Sequence, residues 1–279
     1  MIVTEFYKAD NFGRKGQGLG NQLACYITTR VIAADKGYQF GIINPQEFKG
    51  ADFLTIDFGI EIKQETTKAS NSVKDNLPPG IIHYYKEKQI IHPENGADIR
   101  LYDEDLINVI DNTKIEGYMQ DEQYFIHRKD DIRNWLKVKK EYECYDYADE
   151  NTCVINFRGG PYAHHPEFFL DKKYWKDAVS HMLSINKNFR FIVITEDVFT
   201  AKKFFPNYDV FHFSIGKDYV IIKNAHYLIL SNSSFAWFPA WLNENLKYCI
   251  APKYWGRHNI SDGYWSLGYN ITSGWQYLD

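Results

Sequence analysis

Residues 13–30, GRKGQGLGNQLACYITTR, place four glycines (Gly13, Gly16, Gly18 and Gly20) in eight positions and continue without a spacer into an Asn-Gln pair and an apolar-periodic run. Glycine frees the backbone for conformations that other residues avoid, and the first turn of a helix carries N–H groups with no partner of their own. A phosphate or a sugar oxygen can use such a helix start; an unliganded flexible loop is the plain alternative. The flanks fit one fold. Residues 2–7 have the composition of a strand, Leu23, Tyr26, Ile27, Val31 and Ala34 recur at helical spacing until Lys36-Gly37, and residues 38–43 form a second strand pattern. Strand, glycine loop, helix and strand make the opening of a βαβ unit, whose ligand crevice lies at the carboxyl ends of the strands.

The same alternation restarts after residue 150. Strands are expected at 153–157, 189–195, 209–214, 227–231 and 247–252, the last of these closing the series, with helices between them and Asp171 as an N-cap. RGGPY, 158–162, is expected as a turn, and helical segments are expected through 120–138. KKEYECYDYADEN, 139–151, has the character of a linker, so two α/β domains are expected, 1–145 and 146–279. The polar stretch 61–76 is expected as an excursion, and HYYKEKQIIH, 83–92, as a strand.

Composition narrows the partners. The net charge of -4, with Lys and Arg scattered, provides no basic field for a nucleic-acid backbone. No apolar run reaches the ~18 residues of a membrane span, and MIVTEFYKAD has no signal-type core, so a soluble, cytoplasmic protein is expected. Cys25, Cys144, Cys153 and Cys249 lack any CxxC or zinc-ligand spacing, which favours reduced structural thiols and no metal. Aromatic residues, 17% of the chain, suit core packing first and a carbohydrate ligand second.

Arg158 follows a strand and precedes Gly159-Gly160, so its guanidinium can clamp a diphosphate with two parallel hydrogen bonds, or merely pair with a surface carboxylate. Asn232-Ser233-Ser234 lies between a strand and a helix, where a capping serine and a phosphate-binding turn share one geometry, with the N–H groups of Ser233 and Ser234 expected to be open.

GLGNQL (18–23), KIEGYMQDEQYF (114–125), INFRGGPY (155–162), ITED (194–197) and SNSSFAWFPAWLN (231–243) occur in the order seen in the bacterial α-1,2-fucosyltransferase family, which the chain resembles in both halves. SNSSFAWFPAWLN and GLGNQL are the specific segments. The resemblance implies a GT-B fold, with two Rossmann-like domains facing across a cleft, the first on the acceptor side and the second binding the nucleotide sugar. It implies inverting, metal-independent transfer of a sugar, fucose from GDP-fucose, to a glycan hydroxyl, with no cofactor beyond the GDP-sugar donor. The donor-binding set is then Gly18, Gly20, Asn21, Gln22, Arg158, Glu196, Asp197, Asn232, Ser233, Ser234 and Phe235. The family's strand-end His-x-Arg-Arg-x-Asp pattern becomes Asn156, Phe157, Arg158, Gly159, Gly160 and Pro161, so only the first arginine is kept.

The catalytic set is Arg158, for the leaving diphosphate, and a general base drawn from His164, His165 and Glu167. Asp171 is better placed as a cap, and Asp10, Glu116 and Glu122 are first-domain alternatives. A catalytically silent nucleotide-sugar or carbohydrate binder of the same fold is the second reading, suggested by the missing arginine and aspartate. A kinase-like phosphate transferase is the third, weakened by the absence of GxxxxGK[ST].

Overall fold

The computed structural model describes residues 1–7, 16–62, 77–91, 98–99, 102–256 and 271–279. The chain forms two compact units, Met1–Ile91 with Arg100–Lys137, and His92–Ile99 with Val138–Asp279. Each is an α/β layer structure on a parallel sheet.

In the first unit, β1 (Ile2–Glu5), α1 (Leu19–Lys36), β2 (Phe40–Ile43), β3 (His83–Lys86) and β4 (Thr113–Glu116) follow one another, and the four strands lie in the order β2-β1-β4-β3. All three pairings are parallel. Parallel strands need crossovers, and α1 is the one between β1 and β2; it buries Leu23, Tyr26, Ile27 and Val31 and stops at Gly37. The segment 120–138, expected to be helical, is split into two 3-10 turns (Glu122–Tyr124 and Ile126–Arg128) and one short helix, α2 (Lys129–Trp135). Of the expected excursion 61–76, residues 63–76 lie outside the described residues.

The second unit alternates strand and helix from β5 to β9: β5 (Thr152–Asn156), α3 (Lys172–Ile185), β6 (Arg190–Ile194), α4 (Val198–Phe204), β7 (Asp209–Phe211), α5 (Ile215–Asn224), β8 (Tyr227–Ile229), α6 (Ser234–Leu242) and β9 (Tyr248–Pro252), with β10 (Gln276–Leu278) as a further strand. RGGPY becomes the start of a 3-10 turn, Gly160–His164. β9, expected as the last strand, is followed by β10, which pairs with it in parallel. Three half-buried residues with a leading Gln carry too little periodic signal to be seen in the sequence.

The sheet order is β7-β6-β5-β8-β9-β10. Numbered within the unit this is 3-2-1-4-5-6, the order of doubly wound nucleotide-binding sheets. Alternation along the strands feeds two cores. Cys153, Ile155 and Val193 pack with Tyr174, Trp175 and Ala178 of α3 and with Ala201 and Phe205. Val154, Ile192 and Ile194 pack on the other face with Ile221 and Ile222 of α5 and Ala236 and Ala240 of α6. Each such fully buried aliphatic side chain contributes roughly 1.5–3 kcal/mol. Helices therefore leave β5 and β8, which are neighbours, toward opposite faces, and a crevice opens between the carboxyl ends of those two strands.

The four cysteines are unbridged. Burial raises the Cys25 thiol to about 12 and lifts Cys153 and Cys249 well above their ordinary value, which makes them packing residues and not nucleophiles. Among the described residues no helix is long and apolar enough to cross a membrane.

Candidate functional site

The crevice is joined across its floor by one hydrogen bond: Ser231 Oγ, just past β8, donates to Asn156 Oδ1 at the end of β5, at 2.7 Å. Above it lies a cavity of about 180 Å³. Small-molecule sites generally run to ~300–1,000 Å³, so this space matches one portion of a nucleotide sugar. Arg158, Glu196, Ser233 and Phe235 line it, and so do His212 and Asp218. Four residues expected from three separate sequence segments are thus brought to one place.

Arg158 Nη1 pairs with Glu196 Oε1 at 2.8 Å, and its guanidinium lies 5.2 Å from the centre of the Tyr162 ring. Both partners keep about a third of their side-chain surface in solvent, 32% and 33%. Burial raises the Glu196 carboxyl above its ordinary value although Arg158 opposes the shift. Arg158 thus offsets only part of the effect of burying that carboxyl.

Asp197 does something different from its neighbour. Its Oδ1 accepts from Thr200 N–H at 3.0 Å, capping α4, and its Oδ2 accepts from Gly160 N–H at 2.9 Å. Burial pushes this carboxyl up, but those N–H groups and the Thr200 hydroxyl outweigh it and hold the value below the ordinary one. Asp197, expected among the donor-binding residues, thus has its carboxylate engaged by two backbone N–H groups and does not line the cavity. The same contacts account for the Gly159-Gly160 pair. A Cβ at Gly159 would stand 2.7 Å from Asp197 Oδ2, and Gly160 has φ of 50°, the left-handed region that favours glycine.

At the start of α6, Ser233 takes the N-cap position without any side-chain cap hydrogen bond, and no acidic residue sits in the first turn. The positive end of that helix dipole is left to face the cavity side, with Ser234 as its first residue. The Ser233 N–H, expected to be open, instead donates to the Ser231 carbonyl at 2.9 Å and closes a tight turn. Asn232 Nδ2 donates to the carbonyls of Phe168 and Trp255, at 2.8 and 2.6 Å, tying together two loops.

The three expected bases do not line the cavity. His164 and His165 are exposed at the end of the 3-10 turn, and His165 Nδ1 lies 3.3 Å from Glu167 Oε1. Asp171 caps α3 by accepting from Tyr174 N–H at 3.0 Å. The groups that do line it were missed in the sequence. His212, at the end of β7, places Nδ1 2.9 Å from Oδ2 of the buried Asp218, whose Oδ1 accepts from Phe213 N–H at 3.2 Å. Burial raises Asp218, against the pull of the Phe213 N–H and His212. A histidine at a strand end with an aspartate in the first turn of the next helix was the available signal in DVFHFSIGKD.

In the first unit, Gly18 is the N-cap of α1 with φ of -70° and ψ of 158°, ordinary extended backbone, and a Cβ there would meet nothing within 4 Å. The expectation that these glycines serve unusual dihedrals is corrected: neither Gly16, Gly18 nor Gly20 has a positive φ, and Gly13 lies outside the described residues. What remains at this helix start is an N-terminus with no side-chain cap and no acidic first-turn residue. Gln22 is buried. Its Nε2 donates to the Glu47 carbonyl at 2.7 Å and its Oε1 accepts from Lys49 N–H at 2.9 Å, pinning the loop after β2. Asn21 Oδ1 accepts from Gln120 Nε2 at 2.6 Å. Glu116 ends β4 and accepts from the Tyr84 hydroxyl at 2.9 Å, Glu122 is buried in a 3-10 turn, and Asp10 lies outside the described residues. Among the described residues no group of three or more His, Cys, Asp or Glu is placed to hold a metal ion.

No family model matches the chain. Over 158 residues it is 28% identical to an alpha-1,2-colitosyltransferase of Escherichia coli, a match covering 50% of this chain and 54% of that one. The chain thus spans about half the length of the curated relative it matches. Among solved structures it is similar to the E. coli heptosyltransferase WaaC with ADP, at 11% identity and a TM-score of 0.33 over 58% of this chain and 43% of the other. It is also similar to POFUT1 in complex with GDP-fucose, at 8% identity and a TM-score of 0.42 over 97% and 98% of the two chains. These scores are low, and the assignment of the fold rests on the strand order alone.

Proposed function

We propose that the chain is an inverting glycosyltransferase of GT-B type that moves a deoxyhexose from a GDP-sugar to a glycan hydroxyl without a metal ion. The observation that carries this reading is the convergence of Arg158 and the uncapped start of α6 on one cavity at the switch point of a nucleotide-binding sheet. The partial similarity to a colitosyltransferase supports the donor class. Arg158 releases Glu196 and grips the diphosphate, and Ser233, Ser234 and the α6 N-terminus complete its anionic pocket. Asp218 and Glu196 add carboxylate acceptors at the same cavity, which suits guanine, a base that presents neighbouring N–H donors on one edge. Gly18, Gly20 and Asn21 lie at the start of α1 in the first unit, a helix start with no side-chain cap.

The test is turnover of GDP-fucose and GDP-colitose, side by side with UDP- and ADP-sugars, on galactose-ended acceptors in the presence of EDTA. The expected result is transfer from a GDP-sugar, with the chelator making no difference. Loss of all turnover with EDTA, restored by magnesium or manganese, would remove the metal-free mechanism; preference for a UDP- or ADP-sugar would remove the donor assignment. A silent binder of the same fold is the second reading. It is favoured by Gly159, where the Asp197 carboxylate fills the space that an arginine side chain would need. GDP binding without turnover of any GDP-sugar would select it.

A further inference from the structure

A second cavity, of about 440 Å³, opens between α3 and α4 and shares no residue with the one at the strand ends. Its volume lies within the ~300–1,000 Å³ range of small-molecule sites. Lys172 and Lys176 stand four residues apart on one stripe of α3, and Lys203 faces them from α4. Like charges at that spacing disfavour a helix, and the neighbouring Lys173 is compensated by Asp177 at 2.8 Å. Among the described residues none of the other three forms a close ion pair with a carboxylate, although Lys203 acts on the Asp197 carboxylate at longer range and its Nζ lies 4.0 Å from the centre of the Phe199 ring.

Between the ammonium groups the wall is aromatic. Trp175, Phe204 and Tyr208 line it, and Lys172 Nζ lies 5.6 Å from the centre of the Phe204 ring. Trp175 is buried, and its indole N–H has no acceptor in the protein. Buried donors are nearly always satisfied, and this one, in a side chain that also contributes to the cavity wall, is not.

We infer that the α3–α4 cavity is a second binding site, for an acidic saccharide: the aromatic wall packs the C–H face of a sugar ring while Lys172, Lys176 and Lys203 hold its phosphate or carboxylate. Aromatic faces take sugar rings by apolar contact, and ammonium groups supply several charge-assisted donors to one anionic group. In a glycan-modifying enzyme such a site holds the acceptor chain away from the reacting hydroxyl; that use rests on the function proposed above, whereas the binding itself does not.

The experiment is calorimetric titration of the whole protein, saturated with GDP, with glucose 6-phosphate and with glucuronate; glucose and inorganic phosphate are the controls. One of the two acidic sugars is expected to bind with a Kd of roughly 1 mM or tighter, and at least about tenfold more tightly than either control. The two sugars separate a phosphate-reading from a carboxylate-reading site. Combining Lys172→Ala, Lys176→Ala and Lys203→Ala, all exposed positions, is expected to weaken that binding at least about tenfold without changing the circular dichroism. Trp175→Phe is expected to abolish the tryptophan fluorescence change that accompanies binding. Phosphate binding as well as the acidic sugars would reduce the site to a simple anion patch and overturn the inference. It is equally overturned if glucose binds as well, if neither acidic sugar binds, or if the triple variant binds like the parent. Arg158→Ala keeps the acidic-sugar binding while losing GDP, so the failure of one assignment leaves the other readable; loss of both together would show one site and not two.

Discussion

α4 and α6 both leave the carboxyl edge of the second sheet, next to the same cavity, and their first turns are finished differently. At α4 the Asp197 carboxylate accepts from Thr200 and from Gly160, so the helix start is closed and the loop after β5 is tied to it. At α6 Ser233 has the cap position but no cap hydrogen bond, and no acidic side chain follows. α3 and α5 are closed like α4, by Asp171 and Ser214. An N-cap is worth about 0.5–2 kcal/mol, so leaving one unmade costs stability that a bound anion can restore. The difference separates a helix start closed by its own side chain from one left without a side-chain cap.

The largest test concerns Arg158, which stands between the two helix starts. Arg158→Ala is expected to weaken GDP binding by about a hundredfold or more, since two charge-assisted hydrogen bonds contribute roughly 1.5–3 kcal/mol each. Arg158→Lys should be nearly as harmful, because an ammonium cannot reproduce the planar fork. A lysine variant that binds GDP like the parent in calorimetry would break the distinction at its centre.

Next comes the closed side. Gly159→Ala puts a Cβ 2.7 Å from Asp197 Oδ2 and is expected to cost roughly 1–3 kcal/mol in denaturant melts. Adding Asp197→Ala should remove part of that cost, since the two changes share one contact and will not add. Full additivity would mean that the Asp197 carboxylate is not what excludes a side chain there.

The direct comparison is Asp197→Ala against Ser233→Ala. The first should lose about 0.5–2 kcal/mol of stability while the folded protein binds GDP as before. The second should leave stability within about 0.5 kcal/mol, because no cap bond is lost, yet weaken GDP at least tenfold while guanosine is little affected. Matching stability losses in both variants would erase the difference between the helix starts.

The smallest effect is in pH. Glu196 is raised by burial in the folded protein, so the folded state holds its proton more firmly than the unfolded chain, and this group removes stability as pH climbs above its ordinary 4.5. Glu196→Gln has no such loss. Its melting temperature should therefore gain on the parent's between that pH and neutrality, and a gap that stays constant or shrinks would show Arg158 fully compensating the glutamate.

Much of the fold was legible because its signals are local. Helix period, strand runs and the Gly37 stop each lie within one turn or one strand, and Asp171 declared itself as a cap by position. The resemblance named Arg158, Glu196, Ser233 and Phe235, which follow the neighbouring parallel strands β5, β6 and β8 and so reach one edge and one cavity. β10 escaped because three edge residues have no period to read, and the broken helix at 120–138 because its apolar spacing fits two turns as well as one rod.

The sequence by itself determined the alternating α/β architecture, the helix starts and the positively charged strand end at Arg158. Only the tertiary structure decided which polar side chains line the cavity. Gln22 and Asn232 have amides like any binding residue, but backbone carbonyls of distant loops claimed them. His212 and Asp218 carry no motif, and become neighbours of Arg158 because the parallel order sets the end of β7 two strands from the end of β5. Orientation is a matter of which partner is within about 3 Å, and that distance is set by the packing of sheets and loops, which no local run of residues encodes.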